Sequence, residues 1–253
     1  MAVIDIDAFN YCYALESVTF LGGVDSIATT AFYNCANALY TEYEYGKYVG
    51  DAENPYAVLI ELTNKNFSTY TIHEDTKIIA CSVFNGCDRL TSVTIPDSVT
   101  TIGDYAFWNC DSLTSVTIGD SVTTIGNCAF RACDSLTSVT IGDSVTAIGD
   151  DAFYECTNLT AVYITDIANW CRIAFGDTQA NPLYYAKLYL NGELVTELVI
   201  PDSVTTISSY AFEYCSNLKT INYCGTAEEW SAISKGSSWI YTNPTIVYNY
   251  SES

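Results

Sequence analysis

LTSVTIPDSVTTIGDYAFWNCDS (residues 90–112), LTSVTIGDSVTTIGNCAFRACDS (113–135) and LTSVTIGDSVTAIGDDAFYECTN (136–158) are one block of sequence written three times with few changes. Self-similarity at a short fixed period is the signature of a solenoid, in which each unit is one coil stacked on the next. In the middle block the alternation from Val116 to Ile118 predicts a short strand, with Leu113, Val116 and Ile118 inward and Ser115 and Thr117 outward. Gly119 and Asp120 supply a turn, after which Val122 and Ile125 return to the core. From Gly126 and Asn127 the spacing predicts a short helical turn that buries Ala129 and Phe130 and ends near Cys133. Asp104, Asn127 and Asp150 share one place in the repeat and are expected to cap those turns. A single coil has too little apolar surface to offset the entropy of ordering it, so stacking is required.

Aligning the inward positions gives full coils from Leu15, Phe67, Leu90, Leu113, Leu136 and Val195, with partial coils at the N-terminus, Leu159 and Leu218. Ile4, Ala8, Phe9 and Cys12 match Ile125, Ala129, Phe130 and Cys133, so the chain opens in mid-coil. It is therefore expected to be a piece of a longer protein, or one lacking its first coil. Residues 1–253 are expected to form one solenoid with insertions at about 38–66 and 165–194 and a cap at about 224–253. The first insertion holds a run of tyrosines and the strand-like AVLIEL. In the second, DIANWCRIAF reads as a helix capped by Asp166, and Asn191-Gly192 is a hairpin signal. In the cap, Thr226 and Glu229 form a capping box, and TIVYNY reads as a strand.

Apolar residues make up 49% of the chain, ample for a continuous core. The formal charge of −21 repels phosphates and anionic lipid, which argues against nucleic acid and membrane surfaces as partners. No apolar run reaches membrane-spanning length, so membrane insertion is not expected, and no secretion signal is visible.

Of the 11 cysteines, Cys12, Cys35, Cys87, Cys110, Cys133, Cys156 and Cys215 hold one repeat position. No C-x-x-C pair accompanies them, and ladder neighbours about 4.8 Å apart pointing the same way suit neither zinc nor a disulfide. A column of buried thiols is expected, with any disulfide drawn from Cys81, Cys128, Cys171 or Cys224. The esterase-like Gly-Asp-Ser-Val at residues 119–122 and 142–145 recurs as Pro-Asp-Ser-Val elsewhere and reads as a turn. His73, the one histidine, falls in that turn, where a solvated corner residue is expected rather than a general base. Asp97, Asp120 and Asp143, and Asp88, Asp111 and Asp134, form acidic columns that turn chemistry explains without calcium. No catalytic, cofactor or metal residue is assigned. The candidate partner-binding face is the outward strand side, Ser92, Thr94, Ser115, Thr117, Ser138, Thr140 and Tyr163. A second candidate is an aromatic patch of Tyr40, Tyr43, Tyr45 and Tyr48.

The 23-residue pattern L-x-x-V-x-I, V-x-x-I, A-F-x-x-C, as in Ala106-Phe107-Trp108-Asn109-Cys110, resembles the BspA-like leucine-rich repeat family over nearly the whole chain. The resemblance implies a right-handed leucine-rich repeat solenoid with a parallel β-sheet on one face and short helical or turn segments on the other. It also implies a surface or secreted protein of a host-associated bacterium or parasitic protist. Some family members are implicated in adhesion, so the expected role is a non-enzymatic interaction module with a protein or cell-surface ligand. A structural spacer presenting another domain is the alternative, and a hydrolase the weakest reading.

Overall fold

The computed structural model describes residues 2–20 and 24–251. The chain winds as a β-solenoid of about 10 turns, with parallel sheets and little helix. On one side Ser115–Thr117, Ser138–Thr140, Ala161–Ile164 and Lys187–Leu190 pair in parallel, and Thr69–Thr71 pairs likewise with Ser92–Thr94. The register joins Ser115 to Ser138 and Val116 to Val139, so each repeat position stacks on its own copy. A second wall, which the sequence reading did not separate from the turns, consists of two-residue strands. Thr101–Ile102, Thr124–Ile125, Ala147–Ile148 and Ala174–Phe175 run parallel in it, each burying its second residue.

The third side differs from expectation. Residues 103–111 and their counterparts form turns instead of short helices. Ser82, Tyr105, Cys128 and Asp151 have φ of 53–59°, and Gly86, Asn109, Ala132 and Glu155, four residues on, are also left-handed. These reversals aim backbone N–H groups along the solenoid axis: Phe107 donates to Ala129 O at 2.7 Å and Phe130 to Ala152 O at 2.8 Å. Donors spent on the next coil cannot close a helix. The capping expectation changes accordingly. Asp104 Oδ1 accepts from Asn127 N at 2.7 Å, and Asn127 Oδ1 accepts from Asp150 N at 2.8 Å, so this column ties coil to coil.

The core is a stack. Phe84, Phe107, Phe130 and Phe153 lie nearly parallel, with centroids 4.7, 5.1 and 5.4 Å apart, all fully buried. Leu90, Leu113, Leu136 and Leu159 form a second buried column. Close approach of the coils is possible because Gly126 has no side chain; a Cβ there would sit 2.5 Å from Asp104 N.

The insertions interrupt the stack in definable ways. In the first, Tyr40–Tyr43, Gly46–Val49 and Val58–Leu62 form an antiparallel meander whose last strand joins the second wall beside Ile78–Ile79. Ala80 N then bonds to Leu59 O at 2.9 Å, whereas Cys81 N bonds to Ile27 O at 2.9 Å. The inserted strand thus displaces part of the second coil, whose Val24–Ile27 pairs separately with Ala2–Ile4. In the second insertion, α1 (Ile167–Arg172) is capped by Asp166 as expected, and Asn191-Gly192 turns Lys187–Leu190 back against Glu193–Leu194. The C-terminal α2 (Ala227–Ala232) has the expected capping box, and Thr245–Val247 is a strand parallel to Thr220–Tyr223. α1 and α2 are copies of one device, in which a capped six-residue helix with a buried Trp is followed by Ile, a two-residue strand and Gly.

Candidate functional site

The outward strand side lies where the alternation places it. Ser92, Thr94, Ser115 and Thr117 are exposed, Ser138, Thr140 and Tyr163 half-buried, while Val116 and Val139 between them are buried. Adjacent hydroxyl columns differ in what they do. Thr114, Thr137 and Thr160 each donate a side-chain hydrogen bond to the carbonyl of the Thr one coil earlier, at 3.0–3.2 Å. The hydroxyls of Ser92, Thr94, Ser115, Thr117, Ser138 and Thr140 make no such bond among the described residues and face outward unspent. The register carries the column on from Thr140 to Tyr163 and Tyr189, whose rings meet tilted at 37° with centroids 5.1 Å apart. The sequence reading missed Tyr189 because the insertion lengthens the coil; the period-2 alternation of Lys187–Leu190 was the available signal.

The tyrosines of the first insertion do not form one surface. Tyr48 is fully buried, its hydroxyl 3.4 Å from that of Tyr70, because the strand Gly46–Val49 turns three of its four residues into the core. Tyr48 therefore belongs to the interior, not to an exposed patch. Tyr40 is half-buried and donates to Phe32 O; burial, then the neighbouring Cys35 and Glu61, pushes its phenol up to about 12. Tyr43 is half-buried with its ring edge-on to Tyr56 and His73. Tyr45, exposed, stacks on Phe67 at 5.9 Å. His73 is not the solvated corner residue expected: its ring stacks 3.6 Å from Tyr56, and Nδ1 accepts from Asp75 N.

Among the described residues no two cysteines are joined in a disulfide. In the column, Cys110, Cys133 and Cys156 donate to the carbonyls of Phe84, Phe107 and Phe130 at 3.0–3.2 Å, which gives the repeated thiol a structural task. Contacts with the thiols of Cys110 and Cys156, and then burial, raise Cys133 well above its ordinary value; burial pushes Cys87, Cys171 and Cys215 up to about 12. Thiols held protonated in this way are poor nucleophiles. Asp120 Oδ1 accepts from Asp143 N, and Asp143 Oδ2 accepts from Thr165 Oγ1, so turn aspartates serve the neighbouring coil. Among the described residues, no three of His, Cys, Asp and Glu converge as a metal site.

Solved structures share this architecture. A leucine rich cell surface protein of Faecalibacterium prausnitzii is 27% identical, with a TM-score of 0.50 over 87% of this chain and 51% of its own. A leucine-rich repeat protein of Eubacterium ventriosum is 20% identical, with a TM-score of 0.57 over 93% of this chain and 57% of its own. The pneumococcal vaccine antigen PcpA is 16% identical, with a TM-score of 0.57 over 90% of this chain and 54% of its own. The latter two likenesses concern the fold alone, and the chain spans about half the length of each of these structures. No curated protein matches significantly. The model of the BspA type leucine rich repeat region matches six copies, at residues 1–45, 61–181 and 185–234. With the repeat, its register and its stacked Phe and Cys columns in place, the chain belongs to the BspA type leucine rich repeat family.

Proposed function

We propose that this chain is a non-enzymatic recognition module of a cell-surface or secreted protein, and that it binds a protein or cell-surface ligand through its outward strand side. The observation that carries the reading is the division of labour among hydroxyls. Thr114, Thr137 and Thr160 are used to hold coils together, while Ser115, Thr117, Ser138 and Thr140 beside them stand free. Repeat solenoids commonly bind along such a broad regular face. The leucine rich cell surface protein among the similar structures supports the location. A stiff spacer is the second reading, favoured by the Phe stack running through the central coils.

The double variant Ser115→Arg with Thr117→Arg separates the two. Both positions are exposed, so folding should survive, checked by circular dichroism. On an array of matrix proteins and cell-surface glycans, recognition requires saturable binding by the parent and its loss in the variant. No binding by the parent, or equal binding by both, rejects this face.

A further inference from the structure

In the regular coils the position after Ala-Phe is a surface position: Trp108, Arg131 and Tyr154 there are all half-exposed. The same position in the coil from Val195 is Glu213, only 2% exposed, and neither carboxylate oxygen has a hydrogen-bond partner. Glu213 lines a cavity of about 420 Å³. Tyr184 and Tyr214 meet there at 66° with centroids 4.9 Å apart, and Tyr214 and Tyr241 at 90° and 6.1 Å. The hydroxyl of Thr242, also on this cavity, is buried without a partner. Tyr184 and Tyr241 remain 37% and 68% exposed, so the cavity opens to solvent. The Tyr241 and Tyr214 phenols both sense the carboxylate. Tyr241 is raised first by the approach of its hydroxyl to the Glu213 carboxylate and then by that carboxylate's charge, and Tyr214 first by burial and then by the same charge. The Tyr241 contact stops short of hydrogen-bond geometry, which leaves the carboxylate open.

A buried carboxylate without a counter-charge is costly, and tyrosine faces attract cations. This side of the solenoid already shows the completed arrangement elsewhere. The Arg131 guanidinium lies 4.9 Å from the Tyr154 ring and pairs with Asp151 at 2.8 Å and Glu155 at 3.2 Å. The cavity at Glu213 has the tyrosine rings and the carboxylate, but among the described residues no basic side chain pairs with that carboxylate; Lys187, at the rim, makes no ion pair there either. One carboxylate is too few for calcium, which takes about six to eight oxygens. We infer that the cavity formed by Glu213, Thr242, Tyr184, Tyr214 and Tyr241 is a binding site for an alkylammonium group, the side chain of a lysine on a protein partner. This deepens the proposed recognition role, since a chain of net charge −21 steers cationic partners toward itself.

The test titrates the folded chain with N-acetyl-lysine methylamide, followed by amide shifts of Glu213 and Thr242 in NMR, with N-acetyl-norleucine methylamide as the neutral control. Saturable shifts with the lysine probe alone are expected. Glu213→Gln should weaken binding about tenfold, and Tyr241→Ala several-fold, while Tyr241→Phe keeps the ring and stays within about twofold. Lys187→Ala, at an exposed position, should strengthen binding, an effect that a merely structural role for the cavity would not produce. Equal shifts with norleucine, no saturation, or indifference to both Glu213→Gln and Tyr241→Ala would overturn the assignment. So would tetramethylammonium binding more than about tenfold tighter, since the ligand would then be a small quaternary ammonium. Failure here leaves the strand-side result standing, because that experiment uses whole partners and a different wall.

Discussion

Ala132 and Gly126 show how narrowly single positions are constrained in a coil. Ala132 sits at φ 56°, in a column where the first of the compared coils uses Gly86 and the next Asn109. An L side chain there costs roughly 1–2 kcal/mol, part of which glycine returns as lost chain entropy. Ala132→Gly is therefore expected to stabilise the protein by about 0.5 kcal/mol in urea unfolding; destabilisation would mean that the Ala methyl packs better than its backbone fits. Gly126 is the opposite case. Its added Cβ would meet backbone atoms of the preceding coil, Asp104 N and Gly103 C, at 2.5 and 2.6 Å, and backbone cannot rotate away. Gly126→Ala should cost about 1–3 kcal/mol. A neutral result would show that adjacent coils can part by several tenths of an ångström without losing their ladder.

α1 acts as a splice between two halves of the rod. The second wall breaks after Ala174–Phe175, which is not paired with Thr206–Ile207. The α1 segment bridges the gap: Cys171 O accepts from Ser208 N, and Trp170 Nε1 donates to Ala211 O, both at 2.8 Å. Trp170→Phe keeps an aromatic ring but loses that donor and leaves space, a cost of about 1–3 kcal/mol. If α1 is the splice, amide exchange in residues 195–251 should quicken more than in residues 90–158. Uniform change along the chain would refute it. The helix itself was readable in DIANWCRIAF, since Asp166, the apolar spacing and Arg172 all point one way. The regular coils were readable as strands and core because period-2 alternation and the 23-residue copy number agree. The third side was misread as helical because Ala129 and Phe130 look like a helix face, whereas the decisive left-handed φ at Cys128 and Ala132 has no residue-type signal there. Exposure of the insertion tyrosines was equally illegible: Tyr45 lies in the tight turn between Tyr40–Tyr43 and Gly46–Val49, and Tyr48, three residues on, lies in the second strand facing the core. Glu213 escaped notice because Tyr184 and Tyr241, which line the same cavity, lie on segments distant in sequence.

Stacking identical coils also stacks identical charges, and the whole rod should register that strain. The Asp111 carboxyl is held above its ordinary value first by partial burial and then by Asp88 and Asp134, its copies one coil to either side. Asp151 is raised too, by burial and then by Asp177, and Asp51 runs the other way, lowered chiefly by the Asn54 backbone N–H. A carboxyl with a raised folded value keeps its proton to higher pH in the folded chain than in the unfolded one. Folding then loses stability as pH rises from the ordinary carboxylate value through the raised one, and carries a constant penalty above that window. Asp111 is exposed, so screening reduces the penalty to roughly a few tenths of a kcal/mol. Asp111→Asn should consequently raise Tm by about 1 °C at neutral pH and low salt. The gain should shrink toward zero in about 1 M NaCl, where the Debye length is near 3 Å. It should also disappear at pH below the ordinary carboxylate value, where Asp111 is protonated in both states and its column is discharged. Scanning calorimetry of parent and variant across this grid checks all three; a gain that ignored salt and pH would assign the effect to packing or turn geometry instead of to the aligned aspartates.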